Sequence, residues 1–183
     1  VDRVDVSHFR LSAHLLIAFF ILSLIYWNYL NLVKVKKISH KLNIIIPISF
    51  LILIFIQISV GAFVSGMDAG KIYNSWPLMG NTYFPNDNIL SNLFKLSAFN
   101  DPSLVQFIHR NLAYLIFIFY ILVFLKVYKN KMYDLYKSIN ILGFLIFLQI
   151  ILGIFTILFG AQIYIASMHQ ISSIFLVSSC IYF

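Results

Sequence analysis

Five apolar runs, each about as long as the roughly 20 residues a helix needs to cross a bilayer, constrain this chain more than any other feature. They extend from His8 to Leu30, Leu42 to Ser65, Ser103 to Leu125, Ser138 to Gly160 and Ile163 to Phe183. Hydrocarbon offers peptide groups no water to bond, so each run is predicted to be one α-helix. The expected fold is all-α: a polytopic membrane helical bundle of five transmembrane helices, four of them forming an up-and-down four-helix bundle. At 61% hydrophobic and 10% charged residues, the chain reads as an integral membrane protein.

A net charge of +7 suggests nucleic acid until the charges are mapped. Lys34, Lys36, Lys37 and Lys41 fall between the first two spans, and Lys126, Lys129, Lys131 and Lys137 between the third and fourth, opposed only by Asp134. On the other face Arg3, Arg10, Lys71, Lys95 and Arg110 are matched by Asp2, Asp5, Asp68, Asp87 and Asp101. The positive-inside rule puts both lysine clusters in the cytoplasm or matrix and the 66–102 loop outside. Nucleic acid is excluded as a partner; the lipid bilayer is the expected one.

Cys180, the single cysteine, falls within the last span and reads as inert packing. The chain begins at Val1 without methionine and stops at Phe183 inside an apolar run, so we expect a fragment that lacks sequence before Val1 and a short tail after Phe183.

The chemistry sits on three histidines. His109, in Gln-Phe-Ile-His-Arg-Asn-Leu-Ala-Tyr, and His169 enter apolar runs at similar depth, and His14 does so in the first span. An ionisable ring at such depth is costly unless it pairs or binds something. In an up-and-down bundle of spans two to five the third and fifth are diagonal, so His109 and His169 can face one another and hold a haem iron from both sides. The plainer reading is that each histidine hydrogen-bonds another helix. Three at matched depth favour the ligand reading.

They also recur in a repeat. Residues 55–63 and 147–155 share the pattern Phe-x-Gln-Ile-x-x-Gly-x-Phe, and each is followed by a return helix with a histidine near its outer end. The unit is a glutamine helix followed by a histidine helix. The first span, with His14, is then the second member of an earlier unit. Gln57 and Gln149 read as interhelical hydrogen-bonding groups, and Gly61 and Gly153 as sites of close approach or room for a flat ring.

Arg110 and Arg10 are candidates to pair with a haem propionate, or to snorkel to water. His8 reads as interfacial or as an alternative ligand, Asp68 as a turn residue rather than a proton carrier, and His40 as a solvated loop residue. The loop 66–102 carries Tyr73 and Trp76 among turn residues and is predicted to be a structured cap on the membrane.

These residues resemble the haem A synthases (Cox15/CtaA), in the branch found in mitochondria and related bacteria. The resemblance covers nearly the whole chain and rests on Val-Asp-Arg-Val-Asp-Val-Ser-His-Phe-Arg-Leu-Ser-Ala-His at the start and Gly-Ala-Phe-Val-Ser-Gly-Met-Asp-Ala-Gly-Lys-Ile-Tyr-Asn-Ser-Trp-Pro-Leu-Met after the second span. The 106–114 stretch, Leu-Gly-Ile-Phe-Thr and Ala-Ser-Met-His-Gln complete it. It implies an eight-helix protein of two four-helix halves that oxidises the C8 methyl of haem O to the formyl of haem A. Residues 1–30 would be the last helix of a truncated N-terminal half, 31–41 a cytoplasmic or matrix loop, and 42–183 the C-terminal haem-binding half. By the same match His109 and His169 would ligate the iron of a haem b cofactor, with Arg110 beside them, and His14 would be a ligand of the substrate haem in a site completed by residues before Val1. The fragment alone is expected to be inactive.

The resemblance further implies haem O as substrate, a haem O synthase and an electron acceptor as partners, room for a homo-oligomer, and a bacterial inner or mitochondrial inner membrane. The competing readings are a di-haem b-type membrane electron carrier without substrate chemistry, and a haem-free membrane assembly factor.

Overall fold

The computed structural model describes residues 7–33 and 42–183. The charges at Asp2, Arg3, Asp5, Lys34, Lys36, Lys37 and Lys41, and His40, lie outside the described residues. Five long helices form where the apolar runs predict them: α1 (His8–Leu32), α2 (Ile45–Gly66), α3 (Pro102–Lys129), α4 (Tyr136–Leu158) and α5 (Ile163–Tyr182). All five are long and apolar enough to cross a membrane. Among the described residues there is no strand.

The helix ends differ from the predicted ones by a few residues, for local reasons. Before α2 the Asn43 side chain accepts a hydrogen bond from the Ile45 amide at 3.0 Å, so the helix starts at Ile45 and not at Leu42. Asp101 caps α3 by accepting from the Leu104 amide at 3.0 Å, with Pro102 at the first position, where its missing N–H costs nothing. At its other end α3 outruns the apolar stretch because Lys126 and Lys129 suit the negative end of a helix dipole.

Helix α2 packs on α3, α3 on α4, α4 on α5, and α5 closes the ring on α2, which leaves α3 and α5 diagonal. Helix α1 lies outside the ring against α2 and α5, burying Ser12, Phe19 and Ser23. Ser12 Oγ stands 2.8 Å from Ser59 Oγ, a short polar tie between α1 and α2.

Packing density divides the bundle in two. The half toward the lysine-rich ends is a close apolar core in which Phe50, Ile54, Val127, Leu135, Ile139, Leu142 and Val177 are almost fully buried. There α3 and α4 touch so closely that the Tyr120 hydroxyl occupies the space a Cβ on Gly143 would need. Cys180 belongs to this core at 2% exposure. In the other half α4 buries nothing after Ile146 and α5 nothing before Ser172. His14, His109 and His169 all lie toward this loop-side end of the helices.

The 66–102 loop closes this end as an ordered cap of 3-10 turns at Ala69–Lys71, Leu90–Phe94 and Leu96–Asn100. Asn74 Nδ2 donates to Ile157 O at 2.8 Å and so ties the loop to the end of α4. The α4–α5 turn itself passes through Gly160 and Ala161 with left-handed backbone, and the Ala161 amide donates to Thr156 O at 2.7 Å.

Candidate functional site

His14, His109 and His169 stand six, seven and six residues after their helices begin at His8, Pro102 and Ile163. At about 1.5 Å per residue that is roughly 9–11 Å below the loop end in each case. Depth in these helices is set by where the apolar run begins, so the match follows from sequence spacing alone.

What the spacing does not reveal is how the two ring histidines are seated. Gln57, nine residues before α2 ends, donates from Nε2 to the backbone carbonyl of His109 at 3.1 Å. Gln149, nine residues before α4 ends, donates from Nε2 to the backbone carbonyl of His169 at 3.2 Å and to Ser172 Oγ at 2.9 Å. One turn on, a Cβ at Gly61 would lie 3.0 Å from His109 Cε1, and a Cβ at Gly153 would lie 3.3 Å from His169 Cε1. Each histidine is therefore held by its own carbonyl from a glutamine, and its ring lies over a glycine of the same helix. The two halves of the repeat build one seat twice, on diagonal helices.

A helical carbonyl is already engaged within its helix, so the extra bond from glutamine fixes the axial position of the whole turn that carries the histidine. Gln57 Nε2 also lies 3.3 Å from His109 Nε2. His109 Nδ1 and His169 Nδ1 are buried with no hydrogen-bond partner, as is Gln57 Oε1. Buried imidazole nitrogens without a partner are uncommon, and a metal ion or a hydrogen-bonding ligand satisfies them.

Among the described residues no three His, Cys, Asp or Glu side chains cluster as a metal cage. Two imidazoles on diagonal helices, each over a glycine, in a half-bundle where no residue of α4 or α5 is fully buried, form a donor set suited to the iron of a flat macrocycle. The residues present fit a haem.

Arg110 follows His109 but turns toward the loop. Its Nη1 donates to Ser75 O at 2.9 Å and to Leu78 O at 3.3 Å, and its Nη2 donates to Tyr73 O at 3.0 Å. At 6% exposure it does not snorkel. Gln106 Nε2 donates to the same Tyr73 carbonyl at 3.1 Å. Trp76 Nε1 donates to Tyr114 Oη at 2.9 Å, Tyr83 Oη bonds Asn111, and Tyr73 Oη donates to Asp87 at 3.0 Å. Trp76 and Tyr83 through their side chains, and Tyr73 through its carbonyl, thus fasten the loop to α3 between Gln106 and Tyr114, the stretch that carries His109. Sequence reasoning did not find this clamp, because its acceptors are main-chain carbonyls that every residue carries.

The other candidates are placed apart from this seat. His14 is exposed, and two residues along a helix from the buried Ser12 is roughly the opposite side of α1. Arg10 is exposed as well. His8 packs against Phe63 with ring centroids 5.5 Å apart and abuts Gly66, where a Cβ would lie 2.9 Å from its own. Asp68 is an exposed left-handed turn residue paired with Lys71 at 2.7 Å. Between α1, α2 and α3 runs an apolar groove of about 830 Å³, walled by Leu16, Phe20, Phe55, Val60 and Leu112 and open to the side.

The chain is 45% identical over 179 residues to the haem A synthase of Pelagibacter ubique, covering 98% of this chain and 53% of that protein. It is 38% identical over 186 residues to the haem A synthase of Rickettsia prowazekii, and 37% over 187 residues to that of Rickettsia felis; each covers 100% of this chain and 55% of the relative. The chain thus spans about half the length of the curated relatives it matches. No solved structure matches. The family model described as cytochrome oxidase assembly protein, COX15-CtaA, matches residues 1–181, and the chain belongs to that family of multi-pass membrane proteins.

Proposed function

We propose that this chain is the cofactor-holding part of a haem A synthase, the oxidoreductase that converts the C8 methyl of haem O to the formyl of haem A for cytochrome oxidase biogenesis. His109 and His169 are the residues that would hold a haem b iron. A haem bound there would supply one-electron redox capacity. The observation that carries the reading is the duplicated seat, in which Gln57 and Gln149 bond the carbonyls of the two histidines and Gly61 and Gly153 lie under their rings.

The chain's own residues orient and enclose. The glutamines hold the turns that bear the histidines, and Arg110, with Gln106, Trp76 and Tyr83, keeps the outer loop down over α3 and limits the entry of water. His14 is a ligand of the substrate haem, on the side of α1 turned away from α2–α5. The apolar groove between α1, α2 and α3 suits a long isoprenoid tail, which favours a tailed substrate over a bare electron carrier. Residues 1–30 are then the last helix of a first half, 31–41 its connection, and 42–183 the second half with outer loop 66–102.

Lys126, Lys129, Lys131 and Lys137 at the end opposite the loop support a cytoplasmic or matrix position for that end, in a bacterial or mitochondrial inner membrane. Haem O synthase, an electron acceptor and a second copy are the proposed partners.

The test is haem extraction and mass identification from this chain and from a chain carrying both halves, each purified from cells that make haem O. Haem B in both, with haem A or hydroxylated haem O only in the longer protein, is the expected result. Haem B alone in both would favour an electron carrier, and no haem in either would remove the ligand assignment. Replacing His169 with Ala should abolish the six-coordinate low-spin spectrum and leave the helices folded.

A further inference from the structure

The outer loop carries four large apolar side chains that its own fold turns away from the protein. Ile89 is 63% exposed, Leu90 62%, Phe94 87% and Leu96 87%. They sit on two consecutive 3-10 turns whose backbone is bonded throughout: Asn92 N to Ile89 O at 3.0 Å, Lys95 N to Asn92 O at 3.1 Å, and Ala98 N to Lys95 O at 3.0 Å. Ala98, 1% exposed, pins the second turn to the body. Side chains on so firmly bonded a segment cannot fold inward by a local rearrangement, and a run of exposed apolar groups marks an interaction surface.

The height of the segment identifies what it meets. Phe99, in the same turn as Leu96, packs its ring 5.9 Å from Phe63, three residues before α2 ends at Gly66. Three residues are about 4–5 Å of helix. Asp101 then caps α3. The turns therefore lie level with the last turn of a membrane-spanning helix, where acyl chains give way to headgroups. Phe99, Phe63 and Phe9 also line the outer end of the apolar groove, whose wall continues to Ile17 and Phe20, 60% and 57% exposed. The turns thus adjoin the outer end of an apolar surface that runs down the spans.

Polar groups are arranged to match. Lys95, between Phe94 and Leu96, bonds Asn92 at 2.9 Å. The neighbouring carboxylates are occupied within the protein, Asp101 by the Leu104 amide and the Asn88 side chain, Asp87 by Ser103 and Tyr73. A lysine flanked by apolar residues, with the nearby carboxylates hydrogen-bonded within the protein, suits a surface of phosphates above hydrocarbon.

We propose that residues 89–96 are an interfacial membrane anchor that immerses Ile89, Leu90, Phe94 and Leu96 in the lipid leaflet on the loop side and so fixes the cap over the histidine end of the bundle. Nitroxide labels on Phe94→Cys and Leu96→Cys, in a Cys180→Ala background in phospholipid nanodiscs, test it against a label on Asn81→Cys in the same loop. The anchor predicts collision rates with oxygen several-fold above those with a water-soluble nickel chelate at 94 and 96, and the reverse at 81. Nickel access at 94 and 96 equal to that at 81 would overturn the anchor in favour of a solvated patch. Low access to both reagents would overturn it in favour of a protein partner. Phe94→Trp repeats the measurement without cysteine: quenching by brominated lipid supports the anchor, and quenching by aqueous acrylamide alone refutes it.

Discussion

At the scale of single residues, the site depends on two glycines as much as on two histidines. A methyl added at Gly61 would stand 3.0 Å from His109 Cε1, closer than ordinary carbon contacts, whereas at Gly153 the distance to His169 Cε1 is 3.3 Å. Overpacking of this kind costs roughly 1–3 kcal/mol, and here the ring must rotate or retreat from its seat. Gly61→Ala should lower haem retention by about tenfold and shift its reduction potential, and Gly153→Ala should do the same to a smaller extent. Soret absorbance per protein after purification, with a redox titration, measures both; two variants that load haem and titrate like the parent would show that the rings do not bear on the iron. The histidines and glycines stood out in the sequence because they recur in a repeat. The glutamines stood out in the same repeat and read as interhelical hydrogen-bonding groups, as they are; which groups they bond was not legible, since their partners are the histidines' own carbonyls, which composition cannot single out. Arg110 was legible as a charge beside His109 and illegible as a clamp, because its acceptors come from 32 to 37 residues away in chain order.

At the scale of elements, the spans were legible because roughly 20 apolar residues in a row admit one solution in a bilayer. Contact between spans was not, and Gly143 shows why. It looks like any small residue in α4, yet a Cβ there would lie 2.0 Å from the Tyr120 hydroxyl of α3. Gly143→Ala should lower thermal stability in detergent markedly, and a second change, Tyr120→Ala, should recover part of the loss; a stable single variant would mean that α3 and α4 can part without cost.

The loop offers a second test at this scale. Burial alone would raise the Asp87 pKa, but hydrogen bonds from Ser103 and Tyr73 outweigh it and hold the carboxyl below its ordinary value of 3.8. A depressed folded pKa means that the ionised carboxylate stabilises the loop at and above the ordinary carboxylate range, and that this contribution is lost as pH falls through that range to the folded pKa. Amide exchange and protease cutting in residues 73–87 should therefore accelerate in acid, and Asp87→Asn should open the loop near neutrality and flatten the dependence. Identical profiles for the two proteins would remove Asp87 from the latch.

At the scale of the whole molecule, the repeat makes two histidine seats within α2–α5 and leaves the third histidine outside them. His14 lies at the same depth as His109 and His169, on a helix that joins the ring only through its Ser12 and Phe19 side. Equal depth with opposite facing sets His14 apart from the two histidines with which sequence spacing groups it. If the division is real, His14→Ala should leave the low-spin haem spectrum of this chain unchanged, while His109→Ala abolishes it. In a chain carrying both halves, His14→Ala should still hold haem B but form no haem A. The two spectra and the product analysis together decide the matter: loss of the low-spin signal in His14→Ala would place that residue within the cofactor seat, and haem A production by the variant would take it out of the substrate site. Either result would dismantle the division between residues 1–30 and 42–183, because His14 is the substrate-haem ligand proposed for residues 1–30.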